Sequence, residues 1–162
     1  MRDVIVNTTP IISLCHIEKL DLLKKLYGTV IIPKAVYDEI CVKSDSVAKN
    51  ELNKSLDWIK IIEIKNKTAK ELYKSQLHDG EVEVMILGKE INASLLIIDD
   101  KNAKKHAKYL GFNVTGTLGV LIKAKKENYV QSIKPLIDKL LACNIYIDSK
   151  IIEYCLKEAG EI

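Results

Sequence analysis

The stretch Leu95-Leu96-Ile97-Ile98-Asp99-Asp100-Lys101 constrains this chain more than any other. Four apolar residues end abruptly in two carboxylates. A short unbroken apolar run closed by polar residues describes a strand buried on both faces. Such strands belong to parallel sheets, whose crossover helices cover both sides. The polar stop marks where the chain leaves the core. Ligands of open α/β sheets bind at that carboxyl edge, so Asp99 and Asp100 stand at the centre of the candidate site.

The rest of the chain supplies partners for this strand. Further strands are predicted at residues 4–6, 29–32, 58–64 and 112–114, with a short one at 145–147. Helical patterns separate them. Thr9 is the expected N-cap of the first helix, with Pro10 in its first turn. The second, at 20–27, is stopped by Gly28. A third follows Pro33, with Val36 and Ile40 on one face. Residues 43–53 read as a polar loop leading into a helix that ends near Leu56. A helix is expected at 68–75, and His78-Asp79-Gly80 reads as a breaker before one at 81–91. Others are expected at 102–110, stopped by Gly111, and at 118–126, capped by Thr117. Two more follow at 132–142 and 149–158. Strands alternating with helices predict an α/β sandwich with a mostly parallel sheet.

The 162 residues suit one domain. Residues 1–130 are expected to form its body and 131–162 a C-terminal helical extension packed on it. That extension would serve packing or dimerisation, making a homodimer the expected assembly. The chain is 48% apolar and 29% charged, the balance of a soluble globular protein. Its net charge of +3 tolerates a nucleic-acid partner without announcing one. No apolar run approaches the roughly 20 residues of a membrane span, and Val4–Val6 is too short for a signal-peptide core. Cys15, Cys41, Cys143 and Cys155 form no CxxC pair and read as buried thiols of a reducing compartment, so the cytoplasm is the expected location.

In a parallel sheet all strand ends that lead into helices share one edge. That places Asn7, Thr8 and Thr9 beside Asp99 and Asp100. Asp79, Glu81 and Glu39 could join them from helices. Acids gathered there would repel one another unless a hard divalent cation, Mg²⁺ or Mn²⁺, neutralised them. Each residue also has a purely structural reading. Asp99 or Asp100 could cap the following helix, and Glu81 could serve the helix dipole. Asp79 reads better as a cap than as a ligand. Glu39 could face solvent, and Thr8 and Thr9 could be a cap pair. Glu83 and Asp38 read as solvated. Lys101, Lys104, Lys105 and Lys108 recur on one helical face after Asp100, as a solvated face or a row for RNA phosphates. His16, His78 and His106 show no metal-ligand spacing, and His106 reads as a surface residue. No nucleophile signature, GxGxxG or P-loop is present.

The order of the segments Val4-Ile5-Val6-Asn7-Thr8-Thr9-Pro10, Ile31-Ile32-Pro33-Lys34-Ala35-Val36-Tyr37-Asp38-Glu39-Ile40, His78-Asp79-Gly80-Glu81-Val82-Glu83, Ile97-Ile98-Asp99-Asp100 and Val114-Thr115-Gly116-Thr117-Leu118-Gly119 resembles that of PIN domains, in a poorly characterised prokaryotic branch. The resemblance covers residues 4 to 126. It implies a three-layer α/β/α sandwich, a Mg²⁺ or Mn²⁺ site and cleavage of single-stranded RNA. It also implies the toxin half of a toxin–antitoxin pair, with an antitoxin protein as partner. Glu39, Glu81 and Asp100 would match the family's acids, with Asp99 the adjacent alternative. Thr8 or Thr9 would match the hydroxyl residue after the first strand. Lys101 and Lys104 would contact substrate. One position departs: the family's first acid is here Asn7, which offers a carbonyl oxygen but no charge. Two further readings stay open. One is a PIN-like module that has lost catalysis and binds RNA or protein. The other is an exonuclease or DNA nuclease using the same acids.

Overall fold

A computed structural model describes residues 3–43, 46–73 and 77–162 of the chain. Residues 44 and 45 of the expected loop, residues 74 and 75 of the expected 68–75 helix, and residues 1 and 2 lie outside them.

Val4–Val6 forms β1, and all three side chains are fully buried. Burying each such side chain contributes about 1.5–3 kcal/mol, enough to hold so short a strand in place. β2 (Val30–Pro33) and β4 (Leu95–Ile97) flank β1, and β3 (Ile59–Ile62) and β5 (Val114–Thr115) lie outside them. Every pairing is parallel, with Ile5 opposite Ile31 on one side and Leu96 on the other. The expected "mostly parallel" sheet is thus parallel throughout its five described strands.

The helices make the outer layers of a three-layer α/β/α sandwich. α1 (Thr8–His16) and α2 (Asp21–Tyr27) join β1 to β2, and α3 (Lys34–Lys43) and α4 (Ser46–Lys54) join β2 to β3. α5 (Lys67–Tyr73) and α6 (Asp79–Glu90) carry the chain back to β4, and α7 (Lys101–Tyr109) leads to β5. α8 (Thr117–Lys126), α9 (Lys134–Ala142) and α10 (Ser149–Glu158) complete the chain. α6 packs against α3, α5, β1 and β2, and α8 against α1, α2 and α10. Gly28 ends α2 at φ 75°, a conformation that an L side chain strains to adopt.

The order β3-β2-β1-β4-β5 has a functional consequence. The chain adds β2 and β3 on one side of β1, then β4 and β5 on the other. The direction reverses between β1 and β4. Such a reversal opens a crevice at the carboxyl ends of the two strands, where Asn7 and Asp99–Asp100 emerge.

Several local expectations change. α4 (Ser46–Lys54) occupies most of the stretch expected as a polar loop over 43–53. α1 begins at Thr8, so Asn7 and not Thr9 occupies the N-cap position. Pro10, which has no N–H to place, falls inside the first turn. His78-Asp79-Gly80 does not break the chain: α6 starts at Asp79 and runs through Gly80. Residues 145–147 alternate as a strand would, with Ile145 and Ile147 half-buried and Tyr146 exposed, but pair with none of the five described strands.

Candidate metal centre at the sheet edge

Asn7 leaves β1 in extended geometry and is 5% exposed. Its neighbour Thr8, on the first turn of α1, donates from Oγ1 to Glu39 Oε2 at 3.1 Å. Glu39 reaches this point from the middle of α3, whose Val36 and Ile40 are held in the core. Gly80 closes the group from α6. A β-carbon there would stand 2.8 Å from Glu39 Oε2 and 3.4 Å from both Asn7 Oδ1 and Thr8 Oγ1. Three oxygens from two segments thus face one point, and glycine on a third leaves them the space. Gly80, expected as a breaker, instead permits this close approach.

Glu81 follows Gly80 and is buried. Its Oε1 accepts the His78 N–H at 3.0 Å, which closes the start of α6. The capping role weighed for it is therefore present. Asp79 is exposed on the same turn. It lines a cavity of about 320 Å³ together with Glu39, Glu83, Glu63, Lys34 and Lys70.

Glu83 corrects an expectation. It was read as solvated, yet it is 7% exposed, because α6 is buried on all sides from Gly80 to Gly88. A buried carboxylate needs partners. Its Oε1 accepts the Ala35 N–H at the start of α3, and its Oε2 accepts from Lys70 Nζ at 2.8 Å. The bond to Glu83 holds the Lys70 ammonium above its usual range. Asp38 is exposed as expected and pairs with Lys34.

The β4 side of the crevice is organised differently. Asp99 receives two hydrogen bonds from Thr117, from N–H to Oδ1 at 2.7 Å and from Oγ1 to Oδ2 at 2.6 Å. It thereby caps α8 from a neighbouring strand, the role expected of Thr117 itself. Asp100 caps its own helix, its Oδ2 accepting the Ala103 N–H at 2.8 Å. Lys104 is half-buried and turned toward Asp99: a β-carbon on Gly116 would lie 2.7 Å from its Nζ and 2.8 Å from Asp99 Oδ1. Lys101, Lys105 and Lys108 are exposed, and Thr9 is exposed on the Asp99 side, away from Thr8. His106 is not a surface residue. It is half-buried, with its ring edge-on to Tyr73 at 6.0 Å.

The donors around Gly80 suit a hard divalent cation, being carboxylate, amide and hydroxyl oxygens. Only one of the three is a carboxylate. Among the described residues no three Asp, Glu, His or Cys side chains form a group able to hold a metal. Asn7 adds no charge, and Glu81, Asp99 and Asp100 direct oxygens to helix starts instead.

A parallel α/β/α sandwich with a switch-point crevice is an architecture that binds ligands at that edge. A family model described as a PIN domain matches residues 3–161, and the chain belongs to that family. PIN domains typically use divalent metals. No curated protein matches the chain. Among the described residues no helix is long and apolar enough to cross a membrane.

Proposed function

We propose that the protein is a metal-dependent endoribonuclease acting on single-stranded RNA. Glu39 and Asn7 would hold Mg²⁺ or Mn²⁺, joined by Glu81, Asp99 and Asp100 once these leave the helix-start hydrogen bonds they now accept, and when bound the cation supplies positive charge for the phosphodiester's developing negative charge. Thr8 fixes the Glu39 carboxylate by its hydrogen bond. Thr9, Lys101 and Lys104 line the path of the strand and meet its phosphates. The observation that carries this reading is the convergence of Asn7, Thr8 and Glu39 oxygens over Gly80 beside the buried Glu81. In the cell it would act as the toxin of a cytoplasmic toxin–antitoxin pair, restrained by an antitoxin protein.

The test is cleavage of a labelled single-stranded RNA in Mn²⁺ by the wild type, Glu81→Gln and Asp100→Asn. The wild type is expected to cut and both variants to lose activity by at least about 100-fold. Equal cleavage in all three preparations would assign the activity to a contaminant.

Asn7 favours a second reading, a PIN-fold module that binds RNA without cutting it. In that case the wild type ignores millimolar Mn²⁺ in calorimetry and still retains RNA.

A further inference from the structure

On the α8 side of the crevice lies a groove of about 470 Å³, within the size range of small-ligand sites. Its lining is mixed: Asp100, Lys104 and Thr117 are polar, and Leu118, Tyr146 and Ile151 are apolar. These apolar residues come from the start of α8, from α10 and from the segment before α10. Tyr146 is 86% exposed and Ile151 50%, so an aromatic ring and an aliphatic side chain stand open to whatever enters. Asp99 and Asp148, which also line the groove, already accept hydrogen bonds from the starts of α8 and α10. Lys104 makes no hydrogen bond or ion pair among the described residues. Its ammonium is half-buried beside Gly116, where a side chain would displace it.

We infer that this groove holds one nucleotide of the RNA strand, its base against Tyr146 and its phosphate at Lys104. A nucleotide combines a planar apolar face with an anion, and the groove is lined by both an aromatic ring and a cation. The groove is continuous with the crevice through Asp99 and Asp100. A strand seated there runs from the reacting edge onto the C-terminal helices, so residues 131–162 grip substrate. This inference rests on the nuclease reading for its choice of RNA, but it concerns binding and stands or falls without cleavage.

The experiment measures binding of a fluorescein-labelled single-stranded RNA by anisotropy in EDTA, where no cutting occurs. The full-length wild type is compared with Tyr146→Ala and Tyr146→Phe. Tyr146→Ala should weaken binding about tenfold or more, and Tyr146→Phe should bind as the wild type does. RNA carrying 4-thiouridine should crosslink to a peptide containing Tyr146. Equal affinity of wild type and Tyr146→Ala overturns the inference. So does a wild type that sediments as a dimer while Tyr146→Ala is monomeric, since a second copy then occupies the groove. Tyr146-dependent binding by a protein that never cuts RNA supports the groove and removes the nuclease reading alone. Cleavage with no dependence of binding on Tyr146 does the reverse.

Discussion

Asn7 and Gly80 decide the site at the level of single residues. Asn7 supplies an oxygen without charge, and divalent affinity tracks the charge count of the ligands. Asn7→Asp is expected to tighten Mn²⁺ binding about tenfold or more by calorimetry. An unchanged isotherm would mean that the oxygens over Gly80 are not the metal's ligands. Gly80→Ala tests the same point from the other side. Alanine favours the helix by about 1 kcal/mol, while its β-carbon would stand 2.8 Å from the mobile end of Glu39. Glu39 can swing away, so the fold should survive and the site should not. The expected result is a melting midpoint within about 3 °C of the wild type and Mn²⁺ binding lost. Retention of binding would show that Glu39 is not needed there.

Glu83 acts at the level of elements. Its carboxylate joins the first turn of α3 to Lys70 of α5 from the buried face of α6. Glu83→Ala leaves the Lys70 ammonium and the Ala35 N–H without that acceptor, a loss of about 2–3 kcal/mol. The melting midpoint should fall by roughly 5–10 °C. Glu83→Gln keeps an acceptor for Ala35 and should lose less. Equal losses in the two variants would mean that charge, not capping, carries the effect. α3 also delivers Glu39, so loosening its first turn should reduce Mn²⁺ affinity as well.

At the scale of the whole molecule, the chain end is tied back to the body by Glu161. Its carboxylate accepts from the Ile133 and Lys134 N–H groups, Ser132 Oγ and Lys125 Nζ. It thus caps α9 and pairs with α8 at once. Burial alone would push its pKa up, but these donors hold it down to about 2 from an ordinary 4.5. A carboxyl group lowered on folding contributes stability that is present above its unfolded value and is lost as pH falls through the folded one. The contribution should therefore be full at pH 6 and fade between about 4.5 and about 2. Thermal melts of wild type and Glu161→Gln should differ clearly at pH 6 and converge toward pH 2. A difference that does not shrink on acidification would assign the effect to packing.

Much of this was legible along the chain. Unbroken apolar runs ending in polar residues marked β1 and β4, and alternation with helices marked a parallel sheet, because burial on both faces leaves that imprint. The placement of Asn7, Asp99 and Asp100 at one edge followed from strand direction alone. What the residues do there was left open, a cap on the following helix being one reading and the one Asp100 takes. Asp99 turned to Thr117 and Asp100 to the start of α7, because unpaired helix N–H groups nearby compete for the same oxygens. Glu83 was read as solvated because helical spacing cannot reveal that α6 is covered on every side. Gly80 read as a stop because its neighbours Asn7, Thr8 and Glu39 lie dozens of residues away. Local hydrophobic pattern thus determined the five strands of the sheet, most helices and the edge that carries the site, though the same pattern at 145–147 made no strand. Which oxygens share a point, and which are spent on helix ends, was decided by contacts between distant segments, and those exist only once the sheet has assembled.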